Sequence, residues 1–221
     1  KKIKIIATDL DIIYSEEITI PDIKKEGSTT TSASVLYDIL RKLETNSKIE
    51  FLLQDVNKLK LISDNSKFNL LCISPDNFPL SNEDISEKSF ELSSQKILKL
   101  LNKTKISISN DETRHYLNGI YLHKIEKENK SFLSAVATDS HRLSLSRLEI
   151  DKNTDFESII LPKKTIFQLI SLLEQSASNI KISNNKSKIK FEIDNGVLIS
   201  KVIDGRFPDY NKVIPKDNDK V

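Results

Sequence analysis

Asp139 and His141 stand two positions apart in the string Ala137-Thr138-Asp139-Ser140-His141-Arg142-Leu143. On an extended strand that spacing places both side chains on one face. A carboxylate and an imidazole so placed could share a proton or hold a metal ion, as in a metal-dependent hydrolase. The other two histidines, His115 and His123, keep no metal-ligand spacing with His141. No Gly-x-Ser-x-Gly nucleophile string is present. With 4 glycines in 221 residues there is scarcely material for a glycine-rich phosphate loop. Cys72, the single cysteine, lies in the apolar run Leu70-Leu71-Cys72-Ile73 and reads as a small core residue. Catalysis therefore has one weak candidate pair, and the chain's organisation must carry the argument.

One cysteine excludes an internal disulfide framework and suits a reducing, cytoplasmic setting. No apolar run approaches the length of a membrane span, and residues 1–10 have no signal-peptide core. The net charge is only +2, so bulk electrostatics do not advertise a nucleic-acid partner. Five of the 34 basic residues are Arg, and the Lys excess accompanies abundant Ile and Asn, as AT-rich codons would supply. The position of charge, rather than its amount, is what informs.

The chain repeats itself. The strand-like run ending Ala7-Thr8-Asp9 returns as Ala137-Thr138-Asp139, 130 positions on. The helical pattern Val35, Leu36, Ile39, Leu40, Leu43 returns at the same offset as Ile166, Leu169, Ile170, Leu173. Asp76-Asn77-Phe78-Pro79 is answered by Gly205-Arg206-Phe207-Pro208. Three landmarks in one order at one spacing define a duplicated unit. Recurrence of Asp9 and Asp139 argues that each caps a turn, the reading that competes with catalysis.

Each copy reads as a strand, a helix with one apolar stripe, then an antiparallel meander closed by Phe-Pro. In the second copy Pro162 suits a first helical turn. Strands are expected at 180–183, 188–193 and 197–202, broken by Asn-rich and Asn-Gly turns. Between the copies, 93–103 forms a third helical pattern with Ile97, Leu98, Leu100 and Leu101 inward, followed by strands near 106–109 and 119–125. Nothing before Lys1 matches that helix, and no Met is present. The expectation is a piece of a longer protein. Its parts would be 1–84, the later part of a first domain; 85–214, a complete second domain; and 215–221, the start of a third.

Three strings follow in order: Arg114-His115-Tyr116-Leu117-Asn118-Gly119, then Ala137-Thr138-Asp139-Ser140-His141-Arg142-Leu143, then Asp204-Gly205-Arg206-Phe207-Pro208-Asp209-Tyr210. Together they resemble the middle domain of the bacterial DNA polymerase III beta subunit, the sliding clamp. The resemblance implies an α+β DNA-clamp fold, with antiparallel sheets outside and paired helices lining a ring. It implies a homodimeric ring around duplex DNA, in a non-catalytic processivity factor that needs no cofactor. The implied partners are polymerase subunits and a clamp loader, which dock by short peptide motifs.

Carried over by motif, the peptide pocket would be lined by Leu117, Thr138, Ser140, His141, Arg142, Leu143, Pro208, Lys212 and Val213. The apolar members would seat hydrophobic anchors and the polar ones would hold the peptide backbone. Ser140 replaces a common Gly and makes the backbone less permissive, and Lys212 replaces a common Arg and loses bidentate bonding. Toward DNA the resemblance points to Arg114, His115 and Tyr116 in a loop, with Lys163 and Lys164 opening one helix. Lys96, Lys99 and Lys103 share a face at i, i+3 and i+7. A sliding ring needs phosphate attraction without base readout. A peptide-binding adaptor that never touches DNA is the alternative, and it predicts no basic clustering.

Overall fold

The computed structural model describes residues 1–55, 57–64, 66–79, 85 and 88–215. The chain separates into two compact units, one of Lys1–Ala7 with Ile18–Glu83, the other of Thr8–Glu17 with Asp84–Val221. In chain order the elements are β1 (Lys2–Thr8), β2 (Ile12–Thr19), β3 (Thr30–Thr31), α1 (Ala33–Leu40), β4 (Ile49–Asp55), β5 (Lys58–Ser63) and β6 (Ser66–Ile73). They continue as β7 (Phe90–Ser93), α2 (Ser94–Thr104), β8 (Gly119–Lys127), β9 (Lys130–Thr138) and β10 (Leu143–Ile150). The last are β11 (Ile159–Pro162), α3 (Lys163–Gln175), β12 (Asn179–Asn184), β13 (Lys188–Ile193) and β14 (Gly196–Lys201). The succession β1 to β6 around α1 is the succession β9 to β14 around α3, the duplication seen in the sequence.

In the first unit β3, β6, β5 and β4 form an antiparallel sheet in that order. Period-2 alternation turns Leu59, Leu61, Leu70 and Cys72 to one face, where Leu36, Ile39, Leu40 and Leu43 pack on them. Val35, at the margin of the same stripe, stays exposed. Ser32 caps α1 by accepting from the Val35 backbone N–H. Cys72 is a buried free thiol, as its apolar neighbours suggest.

The second unit holds the larger core. Helix α2 buries Ile97, Leu100 and Leu101, with Leu98 half-buried at its flank. Helix α3 buries Ile166, Leu169, Ile170 and Leu173, and the two helices pack on each other. Two sheets cover them: β2, β14, β13, β12, β7 and β10, β9, β8, β11, antiparallel throughout. Truncating a fully buried leucine of this core, such as Leu101, costs about 3 kcal/mol by transfer and cavity terms.

Three local expectations change. Residues 105–107 form a 3₁₀ turn rather than a strand. The Thr104 hydroxyl donates back to the Leu100 carbonyl, and Ile108 N–H closes on the Lys105 carbonyl, so this backbone is satisfied without a ladder partner. Pro162 ends β11 and sits just before α3, with ψ 146° still extended. In the Asn-Gly turn, Asp194 and not Gly196 takes the left-handed backbone. Gly196 is small because a Cβ there would meet the Tyr14 hydroxyl at 2.6 Å. The part assigned to 215–221 lies, apart from Pro215, outside the described residues, as does the 80–84 border.

Candidate functional site

All the candidate site residues lie in the second unit. The sheet β10-β9-β8-β11 has two apolar faces. Ile120, Leu122, Leu133, Ala135, Ala137, Ile159 and Leu161 point to the helices. The alternate residues Tyr121, Val136, Leu143, Leu145 and Ile160 point away and form a second cluster with Leu117, Phe207 and Tyr210. Leu117 is buried at 2% exposure, Leu143 is half-buried, and Pro208 and Val213 are exposed. Leu117 and Leu143 are thus brought together, 26 positions apart in the chain, under the segment that carries Pro208, Lys212 and Val213.

The Thr138–Leu143 turn joins β9 to β10. The Thr138 hydroxyl donates to the Arg142 carbonyl at 2.8 Å and accepts from Ser140 N–H at 3.1 Å. One Asp139 oxygen accepts from the His141 and Arg142 backbone N–H groups, each at 3.0 Å. The other accepts from Arg142 Nε at 3.0 Å. These bonds, led by that from His141 N–H, hold the carboxyl below its ordinary range. Asp139 and His141 are therefore turn residues, not neighbours on one strand face, and the carboxylate is committed to the backbone. The catalytic arrangement does not form. Among the described residues, no group of three His, Cys, Asp or Glu could hold a metal ion.

The same turn closes β1 onto β2. The Thr8 hydroxyl donates to the Ile12 carbonyl at 2.9 Å and accepts from Leu10 N–H at 3.0 Å. Asp9 accepts from Asp11 and Ile12 N–H at 3.1 and 2.8 Å. Leu10 and Ser140 share φ 79°, the left-handed region. At Asp9, however, the second oxygen takes the Lys164 ammonium. That bond, first among the causes, brings the Asp9 carboxyl down to about 2.

A 3₁₀ turn at Glu112–Leu117 follows Asp111, whose side chain caps it by accepting from Thr113 N–H at 2.9 Å. Arg114 reaches in two directions: Nε donates to Asp111 at 2.8 Å and Nη1 to the Ser140 hydroxyl at 2.6 Å. The Thr113 hydroxyl, then Arg114, draw the Asp111 carboxyl down to about 2. His115 Nε2 bonds the Asp204 carbonyl at 3.1 Å. Gly205 lies so close that a Cβ would stand 3.0 Å from Tyr116 Cβ. Tyr116 packs against the second cluster. Arg114, His115 and Tyr116 are thus tied to the Ser140 turn and the Asp204–Gly205 segment.

The basic residues divide in two. Lys96, Lys99 and Lys103 are exposed along α2 and make no ion pair among the described residues. Lys163, opening α3, bonds the Asn110 side-chain oxygen, and Lys164 is held by Asp9. Lys105, absent from the sequence expectation, sits 5.8 Å above the exposed Phe167 ring of α3.

Sequence reasoning also missed a row of rings. Phe207 stacks on Tyr121 at 5.0 Å, Tyr121 on His123 at 4.4 Å, and His123 meets Tyr210 edge-on at 5.6 Å. His123 Nε2 and the Tyr210 hydroxyl are 2.9 Å apart. Burial first, and the Arg147 charge second, push the imidazole down to about 4, so it is neutral near pH 7. The only signal was Tyr121 and His123 two apart on a strand; their partners lie near residue 210 and left no local pattern.

Comparison with known proteins fits this geometry. Residues 91–209 match the DNA polymerase III beta subunit, central domain, and residues 1–82 its N-terminal domain. The chain is 35% identical over 217 residues to the beta sliding clamp of Caulobacter vibrioides, covering 97% of this chain and 58% of that protein. It is 37% identical over 218 residues to that of Rickettsia felis, covering 96% and 55%. In structure it is similar to the DnaN sliding clamp of Bartonella birtlesii bound to griselimycin. The TM-score there is 0.94 at 37% identity, with 99% of this chain and 58% of that one covered. The chain thus spans somewhat over half the length of the relatives it matches. With both domain matches, the shared α+β architecture and the order of its three strings, the chain belongs to the DNA polymerase III beta subunit family.

Proposed function

We propose that the protein is a DNA polymerase processivity factor, a sliding clamp with no reaction of its own. It works as a homodimeric ring around duplex DNA in the cytoplasm. Retention is topological: a closed ring leaves duplex DNA only by opening or by reaching an end. A peptide pocket then converts a weak polymerase contact into a tethered state of high effective concentration. A clamp loader supplies opening and docks by the same kind of peptide.

The observation that carries this reading is the apolar cluster of Leu117 and Leu143 beside the polar Thr138–Arg142 turn. Apolar anchors of a peptide fit the first, and its backbone fits the second. Thr138, Ser140, His141 and Arg142 form the polar rim, with Pro208, Lys212 and Val213 on the opposite lip. The relative bound to griselimycin supports a ligand-accepting surface in this family. The exposed Lys96, Lys99 and Lys103 along α2 favour DNA in the ring over an adaptor without DNA. Lys163, Lys164, Arg114, His115 and Tyr116 would lie at the edges of that DNA surface.

The test is fluorescence anisotropy of a labelled clamp-binding peptide on the full-length protein. Leu117→Ala, Leu143→Ala and Pro208→Ala, each checked for fold, are expected to weaken saturable binding by about 1 kcal/mol or more. No binding by a well-folded parent would refute the pocket.

A further inference from the structure

The row Phe207–Tyr121–His123–Tyr210 joins two parts of the chain 87 positions apart at its polar end. Tyr121 and His123 belong to β8, whose position is set by its ladders to β9 and β11. Phe207 and Tyr210 belong to the segment after β14, which among the described residues has no ladder partner beyond the single bridge of Ile203 to Ile160. From Asp209 onward the segment is held by its own turn, with Val213 N–H bonded to the Tyr210 carbonyl at 3.2 Å. Its grip on the sheet is therefore made by side chains, and Phe207 and Tyr210 are the two buried ones, at 8% and 6% exposure. Between and just after them stand the exposed Pro208 and Val213.

We infer that His123 and Tyr210 are positioning residues for the peptide pocket: their hydrogen bond, with the ring stack, sets the register of the lip that carries Pro208, Lys212 and Val213. This rests on the pocket proposed above.

His123 Nδ1 is buried with no hydrogen-bond partner among the described residues. A buried N–H without an acceptor is rarer and costlier than a bare lone pair. The proton therefore sits on Nε2, which donates to the Tyr210 hydroxyl oxygen, and Nδ1 keeps its lone pair. A neutral ring suits this place, because it is enclosed and the Arg147 charge stands on β10, in register with it across Ser134 of β9. The bond is directional where the stack is not. Stacked rings slide over one another at little cost, whereas an N–H···O bond at 2.9 Å fails within a few tenths of an ångström or a modest turn. It converts a greasy contact into one lip position.

The experiment measures anisotropy and dissociation rate of the labelled peptide on full-length protein carrying Tyr210→Phe, His123→Phe or both, beside Leu143→Ala. Melting temperature and the ¹⁵N shifts of His123 are recorded in parallel. Tyr210→Phe removes one hydroxyl and leaves His123 with an unmet donor. It should weaken the peptide about three- to tenfold, mostly through faster dissociation. His123→Phe should do the same by stranding the Tyr210 hydroxyl. The double variant replaces both partners by apolar rings of similar shape and should regain most of the folding stability but not the affinity. The ¹⁵N spectrum should show an Nε2-protonated neutral ring in the parent. If both single variants bind like the parent while Leu143→Ala binds weakly, the pocket stands and this inference is overturned. It is overturned equally if affinity follows melting temperature through all three variants, for then the pair only stabilises. A folded parent that binds no peptide refutes the pocket, and this inference with it.

Discussion

The turns at Thr8–Ile12 and Thr138–Leu143 share a backbone and differ in what they do with it. Both use Thr to bridge the turn, Asp to collect two N–H groups, and a left-handed residue at φ 79°. At the first, the spare carboxylate oxygen is met by Lys164 from α3, and the left-handed residue is Leu10, 64% exposed. At the second, the spare oxygen is met by Arg142 of the same turn, and Ser140 is bound by Arg114. The first turn is fastened by a distant helix; the second is fastened locally and by the Arg114 loop. A duplicated motif can thus keep its geometry while its two copies are fastened by different partners.

The comparison can be broken most sharply by removing each aspartate. Asp139→Ala should lower peptide affinity about tenfold, because His141 and Arg142 lose their place, whereas Asp9→Ala should leave affinity unchanged. Both should lower stability, as loss of a cap residue does, seen in chemical denaturation. Acid tests the fastening of the first turn next. The folded Asp9 carboxyl lies at about 2, below its ordinary 3.8, so its stabilisation is complete above 3.8 and vanishes as pH falls toward 2. Asp9→Asn should flatten the melting-temperature profile in that window, a difference of about 1 kcal/mol after solvent screening. Lys164→Met should flatten it in the same direction, since Lys164 is the first cause of the shift.

The left-handed positions sharpen the contrast at smaller scale. Leu10→Gly relieves backbone strain and forfeits little side-chain contact, so it should stabilise by about 0.5 kcal/mol net of the added chain entropy. Ser140→Gly relieves the same strain but removes the acceptor of Arg114, so its net change should stay within about 0.5 kcal/mol of zero. Equal gains at both positions in denaturant midpoints would show that the Arg114 bond contributes nothing.

Much of this was legible before folding was considered. The offset shared by Asp9 and Asp139 exposed the duplication, and the recurrence of that Asp in a Thr-Asp string already favoured a turn over catalysis. The stripes of Ile97, Leu100 and Leu101 and of Ile166, Leu169 and Leu173 located the core helices, because helical period is a property of neighbours in the chain. Residues 106–109 misled: alternating Ile and Ser has a strand's period, yet Ile108 N–H closes a 3₁₀ turn on the Lys105 carbonyl and Ser109 N–H goes to the Leu117 carbonyl.

By itself, then, the sequence determined the repeat, the helix faces, the succession of strand and helix in each copy and the family strings, all of which are read from short runs of neighbouring residues or from their recurrence. Only the tertiary structure decided which charges are taken and which rings meet. Lys164 finds Asp9 across 155 positions, Arg114 finds Ser140 across 26, and His123 finds Tyr210 across 87. No periodicity encodes such pairs. They follow from how strands align side by side and where the chain returns after β14, and hydrogen bonds of this kind form or fail over a few tenths of an ångström.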